Sequence, residues 1–466
     1  MDERGRPDVA RWRWGAAALV AGLLLRVFFV HIHPRFVGDT LTYGDLAHNM
    51  LAHQVYGVTE DRVRSTLIRL PGYPLFLAAC FVLFGNANYL AVVWVQVVMD
   101  LASCALLGML AVRLMGRRSG LTVLWLAALC PFTANYAAAA LTETLSLFCV
   151  TLGFFGLERW LSRWRGGKRG LVWAGVVGLA LAGAVLVRPD EGLLAAAVVP
   201  VMVWVGLRGG RRGLMPAVVA SMVVVLSLSV WAGGNWRTFH VIQPLAPKYA
   251  NDPGEAVNYG FQRWYRTWGI EFKSTVDVYW NYDGNLMSLG DLPPRAIEGG
   301  EQRAETVAVY AAYNEVSSAT PEIDAAIMRI ADQRVAAHPL RYYLVLPVAR
   351  EMNMWLRPRT ELMKMPVDWW AWRVHPGRSV FEVAYALLDV GYLVLGMIGL
   401  WRWFAHVSES RHGAPIFWGM VGFVALRCVL LLTLDNSEPR YTLECFPVVI
   451  VLAGFALAGR SRVASD

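Results

Sequence analysis

A chain of 466 residues that is 56% hydrophobic and 17% charged departs from soluble domains, in which about a quarter of residues carry charge. A mean hydropathy of +0.41 and repeated apolar runs of about 20 residues exclude a soluble globular protein and indicate an all-α polytopic membrane protein. The net charge of +8 suggests a nucleic-acid partner only until its location is examined, and its location argues for none.

In chain order, Arg11 and Arg13 precede the first apolar run, and no small-residue cleavage site follows it, so that run reads as a retained helix rather than a signal peptide. Ten spans are expected, at about 12–31, 90–112, 119–138, 141–160, 170–187, 191–207, 213–234, 380–401, 414–434 and 440–460. With the N-terminus inside, the segments 1–13, 113–118, 158–169, 207–213, 402–412 and 460–466 hold nineteen Lys and Arg against six Asp and Glu. The loop 235–379 holds sixteen of each. The excess charge is thus cytoplasmic and sets topology, with both termini inside. The organisation that follows is a transmembrane module over 1–235 with a first outer loop at 32–89, a large outer-face loop with surface helices over 236–379, and C-terminal transmembrane helices over 380–466.

Within the first outer loop, Leu41, Leu46, Met50 and Leu51 give 40–53 the pattern of a helix lying in the interface plane. The stretch 69–85 opens with Pro71 and Pro74 and is short for a span, which suits a surface or half-inserted helix. In the large loop, Thr320-Pro321-Glu322 reads as a helix start, with Ile323, Ile327, Ile330 and Val335 on one apolar face up to His338-Pro339. The stretch 340–356 either spans or lies on the membrane; the charge bias and Pro347 favour the second. The six cysteines fall in apolar stretches without CxxC spacing, so neither zinc nor a disulfide framework is indicated. His31 and His33 have a spacing that suits a metal, but no further ligands accompany them.

Four charges fall inside spans: Arg26, Asp100, Asp389 and Arg427. Each costs roughly 2.5–3.5 kcal/mol near a helix centre. Signs and depths match pairwise, so two structural ion pairs are expected, Arg26–Asp100 and Asp389–Arg427. The competing reading is a proton or ion path.

The remaining polar residues gather on one side under this topology. Asp39, Tyr43 and Asp45 fall outside, as do Arg69, Glu143, Arg188-Pro189-Asp190-Glu191 and Asp435, Glu438, Arg440 and Tyr441. Acids with arginines at one mouth suit a phosphate leaving group: arginine offers a planar fork for phosphate oxygens, and a carboxylate can take a proton from a hydroxyl within reach. The plain readings are a helix N-cap for Asp39 and Glu143, interface anchors for Arg188 and Arg440, and belt aromatics for Tyr43, Tyr73 and Tyr441.

These residues resemble a family. Asp39-x-x-x-Tyr43-x-x-x-Ala47, then Gly57, then Arg69-x-Pro71-x-Tyr73-Pro74, is similar to the first outer loop of GT-C glycosyltransferases, in the protein mannosyltransferase and lipid A aminoarabinose transferase branch. Leu141-Thr142-Glu143-Thr144, Leu186-Val187-Arg188-Pro189-Asp190-Glu191-Gly192 and Glu438-Pro439-Arg440-Tyr441 resemble further elements of that branch, in the same order. His338-Pro339-Leu340-Arg341-Tyr342 is similar to its surface helix. The resemblance implies inverting transfer of a sugar from a polyprenyl-phosphate donor to an acceptor hydroxyl of a glycolipid, glycan or protein, on the non-cytoplasmic face of a bacterial inner or plasma membrane. By position Asp39 matches the acid that acts as base. Arg188 and Arg440 match candidates for the lipid phosphate, with Tyr43, Arg69, Glu143 and Tyr441 beside them as substrate-binding residues. Asp39-Thr40 stands where the protein mannosyltransferases typically have two adjacent acids, which favours the bacterial lipid-linked branch. No cofactor is required, and no divalent metal is indicated. The rival classes are a transporter or flippase of a lipid-linked substrate and a non-catalytic membrane scaffold.

Overall fold

The computed structural model of the protein describes residues 9–32, 38–406 and 413–458. His33, both termini and residues 407–412 lie outside them. The first part of the chain forms α1 (Val9–Ile32), α2 (Asp39–His53), a hairpin of β1 (Gly57–Thr59) and β2 (Val63–Ser65), then α3 (Gly72–Phe84), α4 (Tyr89–Met115), α5 (Arg117–Ala128), α6 (Pro131–Ala137), α7 (Glu143–Arg165), α8 (Leu171–Val187), α9 (Gly192–Leu207) and α10 (Met215–Phe239). There follow α11 (Tyr259–Arg266), a single turn α12 (Phe272–Ser274), α13 (Gly300–Val316), α14 (Pro321–Ala337), α15 (Leu346–Leu356), α16 (Pro376–His406), α17 (Ala414–Leu431) and α18 (Phe446–Ala458). Among the described residues eight helices are long and apolar enough to cross a membrane, and α5 with α6, bent by 53°, makes a ninth. The tenth expected span is α8, an apolar helix of 17 residues. The protein is an all-α, multi-pass integral membrane protein, and its only sheet among the described residues is the two-stranded hairpin.

The chain folds into two compact units, residues 1–254 with 391–426 and 443–466, and residues 255–390 with 427–442. In the first, α4 packs on α5 and α7, α8 on α7 and α10, and α18 on α5. The break between α5 and α6 has a local cause. Pro131 has no N–H, and it pushes Cys130 out of the helical region, to φ −66 and ψ 108. A break inside a bundle strands carbonyls, and here a buried charge answers one of them. Arg26 on α1 donates through Nη1 to Ala128 O at 2.7 Å and to Gly22 O at 2.9 Å. Its Nε reaches Asp100 Oδ2 on α4 at 2.7 Å, and Nη2 reaches Cys104 Sγ at 3.3 Å. Arg26 and Asp100 are 0% and 3% exposed at the side chain. A charge at this depth is stable only when its donors are used, and these partners come from three helices.

The second unit has an aromatic core of Phe261, Trp264, Tyr265 and Trp268, closed by Tyr310 and Tyr313 of α13 and by Ile323, Ile327 and Ile330 of α14. The start of α14 follows its sequence signals: Thr320 Oγ1 accepts from Ile323 N at 3.3 Å, and Pro321 takes the first helical position. Arg334 on α14 is buried and donates to Thr267 Oγ1 and to the carbonyls of Arg295 and Ala296, which ties the 295–298 turn to the core. The stretch 340–356 is a π-helical turn, Arg341–Val345, running into α15, with Pro347 in the first turn of α15. It buries Tyr342, Leu346, Arg350 and Met354 and exposes Leu340, Leu344, Val348 and Met352 on the opposite side.

One expected pair is corrected here. Asp389 on α16 does not take Arg427. Its Oδ1 accepts from Arg359 Nε at 3.0 Å, both side chains being 1% exposed or less. Arg427 instead donates to the backbone oxygen of Tyr441 at 2.9 Å. Matching depths along two helices identifies candidates, but a third arginine from the 357–361 connection reaches Asp389 first.

Candidate active site

Asp39 is the first residue of α2, where a carboxylate is favoured by the exposed N–H groups of the helix end. Its neighbour fixes where that end sits: Thr40 Oγ1 donates to Ala140 O at 3.0 Å. Ala140 belongs to the buried link between α6 and α7. Gln96 Nε2 of α4 donates to Ala139 O at 2.6 Å, and Gln96 Oε1 accepts from Tyr73 OH at 2.8 Å. Directly after the link, Glu143 opens α7. The same short loop therefore holds the starts of α2 and α7, and with them two carboxylates.

Arg188 ends α8. Pro189 follows it, which favours an extended Arg188, and the observed φ −144 and ψ 127 turn the chain out of the helix there. Its Nη1 lies 3.0 Å from Glu143 Oε1 and 3.2 Å from Glu444 Oε1, and Nε lies 3.3 Å from Asp190 Oδ1. Glu191 points elsewhere, accepting from Ser146 Oγ at 2.8 Å while fully buried.

Arg69 arrives from the loop after the hairpin, and its Nη2 lies 3.3 Å from Asp39 Oδ1. Gly72 makes that approach possible. A Cβ on Gly72 would stand 2.5 Å from the carbonyl carbon of Leu186 and 2.7 Å from Val187 N. The start of α3 thus packs backbone to backbone on the end of α8, two residues before Arg188. Gly72→Ala should lower the thermal stability of the detergent-purified protein by about 1–3 kcal/mol, because neither neighbour is a side chain that can turn away. A melting temperature equal to wild type would show that the two helix ends are not tightly packed.

Tyr43, one turn along α2 from Asp39, stands between these groups. Its ring meets Tyr73 edge-on at 5.2 Å, and the Arg69 guanidinium lies 6.0 Å from its centroid. Burial raises the Tyr43 phenol above its usual value; Arg69 and Arg188 act against that, while Asp39 and Glu143 add to it. All four charged residues therefore act on one phenol, which stays a neutral hydrogen-bond donor. Asp45, by contrast, is engaged in the hairpin, accepting from Thr59 N at 2.6 Å and Thr59 Oγ1 at 2.9 Å.

The remaining candidates, Arg440 and Tyr441, belong to the second unit. Arg440 Nε pairs with Glu438, and Tyr441 OH donates to the same carboxylate at 2.8 Å. No group of three or more His, Cys, Asp or Glu among the described residues is arranged to hold a metal. Sequence reasoning passed over Glu444, which is fully buried against Arg188. An acid inside the expected span 440–460 was the available signal, of the same kind that singled out Asp100.

The family model of dolichyl-phosphate-mannose-protein mannosyltransferases matches residues 69–232, the segment that carries Arg69, Glu143 and Arg188. Over 95% of this chain the fold superposes on the oligosaccharyltransferase of Archaeoglobus fulgidus tethered with an acceptor peptide, at a TM-score of 0.53 and 12% identity. The apo form of that oligosaccharyltransferase matches at a TM-score of 0.50, with 11% identity over 95% of this chain and 50% of its own length. ArnT from Cupriavidus metallidurans bound to undecaprenyl phosphate aligns over 96% of this chain and 78% of its own, at 14% identity and a TM-score of 0.38. No curated protein matches the chain in sequence. The chain spans about half the length of the tethered oligosaccharyltransferase, 49%, so the likeness is one of fold.

Proposed function

We propose that the protein transfers a sugar from a polyprenyl-phosphate donor to an acceptor hydroxyl at the outer face of the membrane, with inversion at the anomeric carbon. The observation that carries this reading is the convergence of Asp39, Arg69, Glu143 and Arg188 on Tyr43. A lipid-phosphate donor is supported by the family model over 69–232, whose description names a dolichyl-phosphate sugar. In the proposed step Asp39 accepts the proton of the acceptor hydroxyl, whose oxygen attacks the anomeric carbon from the face opposite the phosphate. The bond from that carbon to the phosphate oxygen breaks, and the lipid phosphate leaves with the electron pair. Arg188 meets its growing negative charge; Tyr43 donates a hydrogen bond as a neutral phenol; Glu143 and Arg69 hold Arg188 and Asp39 in place. Arg440 and Tyr441 of the second unit are proposed to bind lipid phosphate, and the surface helices of 236–379 to select a glycolipid, glycan or protein acceptor. The termini are assigned to the cytoplasm on the charge count.

The test begins with mass spectrometry of outer-face glycans and glycolipids from cells lacking the protein, which should reveal one missing sugar substituent. With that product as the readout, Arg188→Ala in isolated membranes should raise the donor KM about 10- to 100-fold, the loss expected for a charged hydrogen bond of about 1.5–3 kcal/mol. An unchanged KM removes Arg188 from the phosphate. Envelope sugars identical with and without the protein would end the transferase reading.

A further inference from the structure

We infer that Arg359 is a positioning residue: with Arg427 it clamps the turn that presents Arg440, and thereby sets the affinity of that turn for a lipid phosphate. The inference rests on the proposal that Arg440 binds such a phosphate.

The turn is the 3-10 segment Pro439–Cys445. Of residues 435–442 only Arg440 and Tyr441 reach the surface; Asp435, Asn436, Ser437, Glu438 and Thr442 are all 8% exposed or less. The backbone on either side of Arg440 is held from outside the turn. Arg359 Nη1 donates to Pro439 O at 2.8 Å, and Arg427 Nη2 donates to Tyr441 O at 2.9 Å. Arg359 Nη2 also donates to Thr442 Oγ1 at 2.5 Å, and its Nε holds Asp389 Oδ1.

A guanidinium is planar, so three bonds from one fork fix both the position and the rotation of the turn relative to Asp389. A lysine ammonium, with no rigid fork, cannot reproduce this. Arg359 is itself 1% exposed and enclosed by its partners, so it acts on a ligand only through the turn. Its own placement is local: Arg357, ahead of Pro358, is extended at φ −75 and ψ 158, which ends α15 and sends the next residues inward. Arg440 waits against Glu438, and Glu438 is held by Asn436 Nδ2 at 3.0 Å and by Tyr441 OH. The geometry is that of a carboxylate-paired guanidinium on an immobilised backbone. A phosphate arriving at the turn meets an arginine that has already lost most of its freedom, which is how preorganisation raises affinity.

The test uses the full-length protein in lipid nanodiscs with undecaprenyl phosphate as probe, its affinity measured by native mass spectrometry alongside the melting temperature. Arg440→Ala should weaken binding about tenfold. Arg359→Lys should weaken it in the same direction, and the double variant Arg359→Lys/Arg440→Ala should bind no more weakly than Arg440→Ala alone, since the clamp works only through Arg440. Thr442→Val removes one arm without stranding a charge, and should give the same non-additive pattern even if Arg359→Lys fails to fold. Effects that multiply in the double variant, or a lowered melting temperature with unchanged affinity, overturn the clamp. If Arg440→Ala leaves the affinity at the wild-type value, the phosphate reading of Arg440 falls first, and that outcome is distinct from a clamp that fails while Arg440 still matters.

Discussion

Asp39→Asn is expected to leave the protein folded and inserted while reducing sugar transfer in membranes by about 10²- to 10⁴-fold, the range that a positioned general base contributes. The amide occupies the same volume and can still receive a hydrogen bond from Arg69, now 3.3 Å away. It cannot take a proton from a hydroxyl. The anchor of α2 is Thr40, not Asp39, so the helix start should stay where it is. Asp39 is also about a third exposed, which leaves it accessible to an acceptor. Arg69→Ala makes the useful contrast, because it removes the partner and keeps the base. Transfer at the wild-type rate by Asp39→Asn, with the product identified by mass spectrometry, would strip Asp39 of the role of base and move attention to Glu143.

The largest effect on stability is expected from Arg26→Leu. This change strands the Asp100 carboxylate in the bundle and leaves Ala128 O without its donor. Removing one member of a buried pair costs about 3–5 kcal/mol, which is much of a typical folding free energy. The visible result should be loss of folded protein after detergent extraction, followed by size-exclusion chromatography. The double change Arg26→Met/Asp100→Leu should recover most of it, since two apolar side chains of similar size remove the stranded charge. A proton or ion path would predict the reverse: well-folded single variants with altered function. Normal folding of Arg26→Leu would defeat the structural reading of the pair.

The spans were legible because a bilayer sets a length and leaves long apolar runs; even the short α8 and the bent α5–α6 pair were visible that way. The start of α14 was legible because its signals lie within four residues. What stayed hidden depends on residues distant in the chain. Arg359 lies 30 residues before Asp389 and 80 before Pro439, in a connection with no periodic pattern, so nothing local marks it as buried. Depth matching therefore paired Asp389 with the wrong arginine. At the candidate site Asp39, Arg69, Glu143 and Arg188 were legible one by one, as charged residues at the ends of apolar runs. Their actual partners were not: Glu444 beside Arg188, and Tyr43 as the common neighbour, follow from close backbone packing at Gly72 and from the Thr40 and Gln96 bonds.

The distribution of Arg26 partners along the chain has a consequence for biogenesis. Asp100 is synthesised 74 residues after Arg26, and Ala128 102 residues after it. At about 5–20 residues per second the guanidinium waits on the order of 4–15 s for its carboxylate. During that interval α1 carries a charge that has only the carbonyl of Gly22 on its own helix as a partner, and lipid accepts such a charge poorly. The final contacts of α1 are therefore completed only after α4 and α5 have been synthesised.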